Sequence, residues 1–364
     1  MHVRTISARN MGAMIALMTL TALLMTGFGA VVQDMWIAVI IAAAMSVPLA
    51  LLHSRTARLF PGKGIYDIAE LVLGKWLCRV LTVLIALYSL HIASIVAFNF
   101  AEFIATISLP LTPGIIVTMC IIATAGYLAS GGFYNLGKWS IAVLVICIIN
   151  FLFTIFCSFG SLDFTNLLPI MEHHPTEIFS AAFSLFSSSF GEIIVLMAAF
   201  SSLRKKSSPY KACFSGLAIG FIVLFLAAVR NAAVLGHGMM SLAAFPSYIT
   251  ARIIQPGSFI EQIESVLSFS LVLIGITKIA VCLRAASIGF AKLTGVENKE
   301  RLMIIPCCLI STAMCVTGIS NLQELVRYMD IYRYYSLAFI LLIPLIIWIM
   351  AERKARFLKK IVSI

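Results

Sequence analysis

Two apolar stretches carry the same small-residue interruption: Thr26-Gly27-Phe28-Gly29-Ala30-Val31 and Ser188-Ser189-Phe190-Gly191-Glu192-Ile193. Unwinding a helix inside a bilayer frees backbone N–H and C=O groups, which is tolerated where they line a cavity or hold a ligand. The positive end of a half-helix suits a carboxylate. Gly27 and Gly29 let the backbone come close to a ligand. Thr26, Ser187, Ser188 and Ser189 add hydroxyls, and Phe28 and Phe190 supply walls. Such a constellation captures a small zwitterion without covalent chemistry. The plainer reading is that small residues let helices pack closely.

Other polar residues lie inside apolar stretches. Tyr88, His91, Asn99 and Glu102 fall within an arc of roughly 80° on one helix face, which makes Tyr88 and His91 candidate cavity residues. Lys278 shares a face with Glu264, Ser268, Gly275 and Cys282. Its ammonium either stands in for a cation at a contact between helices or snorkels to the nearer surface. Arg230 needs a carboxylate, and Glu261 or Glu264 is the expected partner in a gate or structural ion pair. Glu192, just after the second break, suits a proton site or the ammonium group of a ligand. His173-His174 with Glu172 and Glu177 reads as a solvated loop, so no metal site is expected. Nothing resembles a nucleotide loop or a nucleophile triad, and neither a cofactor nor catalysis is expected.

The elements that must position these groups follow from composition. The chain of 364 residues is 61% hydrophobic and 11% charged, whereas a soluble domain carries about 25% charge. It reads as an all-α integral membrane protein, a single domain over 1–364. Ten apolar segments are long enough to cross: about 10–32, 35–52, 80–105, 114–129, 139–159, 178–200, 212–235, 260–285, 303–319 and 334–350. A net charge of +11 raises the question of nucleic acid, but its placement argues for a membrane instead. Ten crossings put twenty cations on one side and leave only Arg252, Arg327 and Arg333 on the other. That asymmetry puts both termini in the cytoplasm, with 351–364 as a basic tail near anionic lipid. The nine cysteines are scattered as apolar fillers, with no pair suggesting a disulfide. Helical spacing of Ile65, Ile68, Ala69 and Val72 predicts a short interfacial helix, and a short lid helix is expected between Pro246 and Pro256. Five segments from each break onward give a 5+5 inverted repeat, about 7–159 and 178–350, with helices 1 and 6 discontinuous.

Specific runs carry a resemblance: Arg230-Asn231, Val234-Leu235-Gly236, Phe245-Pro246-Ser247-Tyr248, Arg252-Ile253-Ile254 and Gly257-Ser258-Phe259-Ile260-Glu261-Gln262-Ile263-Glu264-Ser265. With Phe60-Pro61-Gly62-Lys63, they resemble the spore germination receptor B-subunit (endospore germination permease) family of the amino acid–polyamine–organocation transporter superfamily. The resemblance implies a leucine-transporter-like fold and a small germinant, an amino acid, bound in a central membrane site. It also implies A and C partner subunits through which binding is signalled, and a place in the spore inner membrane or cell membrane. The alternative is an amino acid permease working by proton coupling or exchange; a scaffold or ion-conducting subunit without a ligand is a further rival.

Overall fold

The computed structural model describes residues 5–24, 31–254 and 263–362. Within them, eight helices are long and apolar enough to cross a membrane, and two shorter apolar helices, Ala8–Leu24 and Gly114–Ser130, complete ten crossings. The sequence-predicted ten segments are therefore present. The crossings are α1 (Ala8–Leu20), α2 (Met35–Leu59), α4 (Lys75–Ile107), α5 (Gly114–Ser130), α6 (Gly132–Ser158), α7 with α8 (Pro175–Leu185 and Ile193–Leu196), α9 (Pro209–Leu242), α11 (Ile263–Leu293), α12 (Ile304–Gly318), and α13 with α14 (Leu322–Leu337 and Ile343–Val362). Both the expected non-spanning helices form, as α3 (Ile65–Leu73) and α10 (Pro246–Ile253).

Local chemistry sets the ends. Ser7 caps α1 by accepting from the Asn10 N–H, Ser208 caps α9 just before Pro209, and Asn321 caps α13 by accepting from the Glu324 N–H at 2.8 Å. That last cap corrects the tenth segment. It begins at Leu322 rather than near 334, because a helix can start with a polar first turn when the cap is good. The expected basic tail beyond 350 continues the same helix to Val362.

Helices in lipid are held by close packing and polar contacts rather than by burial from water. α1 and α9 approach so closely that a Cβ on Gly216 would lie 2.5 Å from the Gly12 carbonyl oxygen. α9 bends at Gly236, whose φ of +62° favours glycine. There Asn166 donates from Nδ2 to the Ala233 carbonyl at 3.0 Å. α3 is drawn into the bundle further than an interfacial helix need be. Tyr66 is buried and donates to the Ala285 carbonyl, and Lys292 on α11 pairs with Asp67 and Glu70.

Most of the cationic loops lie on one face of the bundle, called the basic face below. On the opposite face, the loop before α7 leaves Glu172, His174 and Glu177 exposed, as expected, but is pinned to the bundle at Met171 and His173. Buried Asp34 accepts from the N–H of Met171 and of His173, and lies 3.0 Å from His173 Nδ1. Burial pushes the Asp34 carboxyl up, but the His173 ring and the two N–H donors outweigh it and hold the group below the usual carboxylate range.

Two predictions follow from this packing. Gly216→Leu should destabilise the chain by overpacking against the α1 backbone, on the order of 1–3 kcal/mol, read as a lower Tm in detergent. A carboxylate held ionised by its fold stabilises fully above its unfolded pKa of about 3.9 and loses this as pH falls through the lower folded value. The Tm gap between the parent and Asp34→Asn should therefore be open at neutral pH and narrow below about pH 4.

Candidate functional site

The sixth crossing breaks where the sequence predicts. α7 ends at Leu185, Phe186–Phe190 form a π-helical turn, and α8 resumes only at Ile193. The first crossing leaves regular α-geometry earlier than its glycines suggest. α1 stops at Leu20, and Thr21–Leu24 form a 3-10 turn. Thr26, Gly27, Phe28 and Gly29 lie outside the described residues, as does Glu261.

Between the 3-10 turn of the first crossing, α4, α7 and α13 lies a cavity of about 570 Å³. It runs from exposed Glu177 and Asp330, on the side of the Asp34 loop, down to the buried pair Lys278 and Glu192. Its middle is walled by apolar Ile92, Val96 and Met329. The floor is tightly connected. Lys278 Nζ lies 2.6 Å from Glu192 Oε2, and donates to Thr21 Oγ1 at 3.0 Å and to the Ser188 carbonyl at 3.1 Å. One ammonium on α11 thus ties the 3-10 turn of the first crossing to the break of the sixth. With Lys278 only 1% exposed, snorkelling to the surface is excluded. Glu192 Oε1 in turn accepts from Tyr332 at 2.6 Å, and the Tyr332 hydroxyl lies 3.0 Å from that of Tyr88.

The sequence-predicted residues divide. Ser188, Ser189 and Glu192 line the cavity with Lys278, whereas Ser187 and Phe190 are buried behind it. Tyr88 stands one layer back behind Tyr332, with its ring stacked at 4.2 Å on Phe339. His91 faces α13, where its Nε2 is 2.6 Å from the Tyr335 hydroxyl and 2.7 Å from that of Tyr328. Tyr88 and His91 are thus supports of the cavity wall rather than the wall itself, because the early start of α13 puts its tyrosines in front of them.

Of the two expected partners for Arg230, Glu261 lies outside the described residues and Glu264 does not pair with it. Arg230 Nη1 donates to Thr154 at 2.9 Å, Nη2 donates to Asn231 Oδ1 at 2.9 Å, and its guanidinium lies over the Phe151 ring. Among the described residues no carboxylate pairs with it, Glu264 included. Neutral oxygens satisfy its fork of donors, with the Ser247 carbonyl as a further acceptor at 3.4 Å. Asn231 Nδ2 donates to Ser247 Oγ at 3.0 Å, and that hydroxyl donates to the Leu23 carbonyl at 2.8 Å. The network therefore fastens α10 to the turn of the first crossing.

Sequence reasoning missed Thr21, Tyr332 and Arg333. Thr21 sits in an otherwise apolar run and gives no periodic signal. Tyr328, Tyr332 and Tyr335 recur at helical spacing, a legible stripe whose first two members lie before the predicted start of the tenth segment. Arg333 reaches the cavity side of α7, donating to Ser180 at 2.6 Å.

Similarity to known proteins bears on the fold and the family. Among solved structures, the chain is similar to Mhp1, a nucleobase-cation-symport-1 family transporter in a closed conformation with bromovinylhydantoin bound. The TM-score is 0.66 at 12% identity, covering 92% of this chain and 76% of that one. With helices 1 and 6 broken, the fold is leucine-transporter-like. The chain is also similar to spore germination protein B2 of Bacillus subtilis (strain 168), 23% identical over 322 residues, covering 87% of this chain and 86% of that one. Spore germination protein A2 of the same organism is 23% identical over 328 residues, covering 90% and 88%. A family model described as spore germination protein matches residues 5–322, so this multi-pass membrane protein belongs to the spore germination protein (spore permease) family.

Proposed function

We propose that this chain is the permease-like B subunit of a spore germinant receptor. It takes a small zwitterion, such as an amino acid, into the cavity above Lys278 and Glu192, and passes occupancy on to A and C partner subunits. The observation that carries the ligand reading is the broken sixth helix opening into a cavity that holds both signs of charge. Lys278 and Arg333 stand near Glu192 and Asp330, with an apolar middle that suits a small side chain. The family match, with relatives printed as spore germination proteins, supports signalling rather than uptake as the outcome. The twenty cations on the basic face support cytoplasmic termini in the spore inner membrane or cell membrane, with the cavity reached from the other side. The two halves are read as repeats of about 7–159 and 178–350. In this reading the breaks supply the ligand contacts, Thr26, Gly27, Phe28 and Gly29 from the first and Ser188 and Ser189 from the second.

A thermal-shift screen of the purified chain against the amino acids tests the site. A ligand at 100 times its Kd should stabilise by about 2.7 kcal/mol. A selective shift that Gly27→Leu abolishes is expected; a shift that survives Gly27→Leu unchanged would move the ligand away from the first break. The transporter-like fold also favours a second reading, an amino acid permease. Concentrative uptake by the lone chain in proteoliposomes would decide for it.

Lys278 occupies the first–eighth helix contact as a built-in cation, doing there what a bound ion does in cation-coupled transporters. Lys278→Met leaves Glu192 buried without its ammonium, at a cost of about 3–5 kcal/mol, while Lys278→Met with Glu192→Gln should regain much of that stability. Both variants should insert in the membrane and lose the ligand-dependent shift. If the double variant responds to ligand as the parent does, the built-in-cation role fails.

A further inference from the structure

On the basic face, a second cavity of about 330 Å³ lies where the end of α2 meets the segment that leaves the sixth crossing. Arg58, Arg204, Lys205 and Lys206 converge on it, with the hydroxyl-bearing Ser207 and Ser208 beside them. No acidic side chain among the described residues lines it. Among the described residues, Arg204, Lys205 and Lys206 make no salt bridge, while Arg58 lies over the Tyr210 ring at 6.0 Å. Other cations of the basic face are paired: Lys292 with Asp67 and Glu70, Arg284 with Glu300, and Arg55 with Glu352. A concave site holding four cations without a counter-charge lowers its own repulsion by taking an anion with several acceptor oxygens.

The same segment closes the bundle. Ile6 donates to the Ser202 carbonyl at 2.8 Å, and the Arg204 N–H donates to the Ile6 carbonyl at 3.0 Å. These two bonds form a short parallel bridge between the chain entering α1 and the chain leaving α8. They clamp together the basic-face ends of the two broken crossings, whose breaks meet at Lys278. Arg204 belongs to both the clamp and the cavity.

We propose that this cavity binds the phosphate of an anionic lipid headgroup, and that an occupied cavity holds the clamp between Ile6 and Ser202–Arg204 closed. A chain that crosses the bilayer presents its basic face to lipid headgroups, where phosphate is the abundant anion. Four converging cations match its charge, and Arg58 and Arg204 can chelate two of its oxygens at once.

The test uses the full chain in nanodiscs of phosphatidylcholine alone, of phosphatidylcholine with phosphatidylglycerol, and of phosphatidylcholine with inorganic phosphate added. Amide hydrogen exchange is followed in the peptides that cover Ile6 and Arg204. Phosphatidylglycerol should slow exchange there by about tenfold, the protection expected near ten times a ligand's Kd. K205Q/K206Q, which leaves the Arg204 clamp residue in place, should abolish that slowing; R58Q serves as a second variant if the first does not fold. Slowing by inorganic phosphate but not by phosphatidylglycerol overturns the lipid source. No slowing, or slowing by phosphatidylglycerol that both variants retain, overturns the site itself. No added germinant enters the experiment, so its failure leaves the ligand reading of the central cavity untouched.

Discussion

The buried pair of Lys278 and Glu192 is the contact on which the arrangement of the two broken helices depends. A discontinuous helix leaves backbone groups that something must satisfy, and in lipid that partner has to come from the protein. Here a single ammonium answers both breaks, through the Thr21 hydroxyl and the Ser188 carbonyl, while its charge is met by Glu192. A neutral side chain of the same length would fill the space but supply none of the three donors. Tyr332 and Tyr88 continue the arrangement outward, so that α13 and α4 are also held in register with the break. The cavity takes its shape from that register.

Much of the bundle was legible because bilayer thickness imposes a length on every apolar run, and ten such runs stand out against 11% charge. The short helices α3 and α10 were legible as well, from the spacing of Ile65, Ile68 and Ala69 and from Pro246. The site was legible only in part. Ser188, Glu192 and Lys278 could be singled out because polar groups in a crossing are costly. The contacts of Lys278 with Ser188 and with Thr21 could not, because they join residues 90 and 257 positions apart. The tenth crossing was misjudged for a related reason. Its first turns carry Glu324, Arg327, Asp330 and Arg333, which look like a loop until the helix is seen to rise beside a water-accessible cavity.

Arg230 makes the limit of charge-matching plain. A buried guanidinium invites a search for a carboxylate, yet here its planar fork makes four bonds to hydroxyl, amide and carbonyl oxygens. The residues that carry the family resemblance, Arg230, Asn231 and Ser247, turn out to be one hydrogen-bonded unit. Through the Leu23 carbonyl that unit reaches the same turn that Thr21 offers to Lys278. The motif therefore bears on the first break from outside while the lysine bears on it from within.

That double hold bears on how a ligand could be felt at a distance. Interfaces of packed helices are bistable rather than continuously deformable, so a small change at the break has only a few arrangements to choose from. The cavity is walled by α7 and α13 near its mouth and floored by the ion pair, while the opposite ends of the first and sixth crossings are zipped together by Ile6 and Arg204. A ligand that bears on Glu192 or Ser188 competes for the groups that hold Lys278. Loosening Lys278 would release Thr21, and with it one of the two anchors of the first crossing. Only a difference in ligand affinity between the held and released arrangements can drive such a shift.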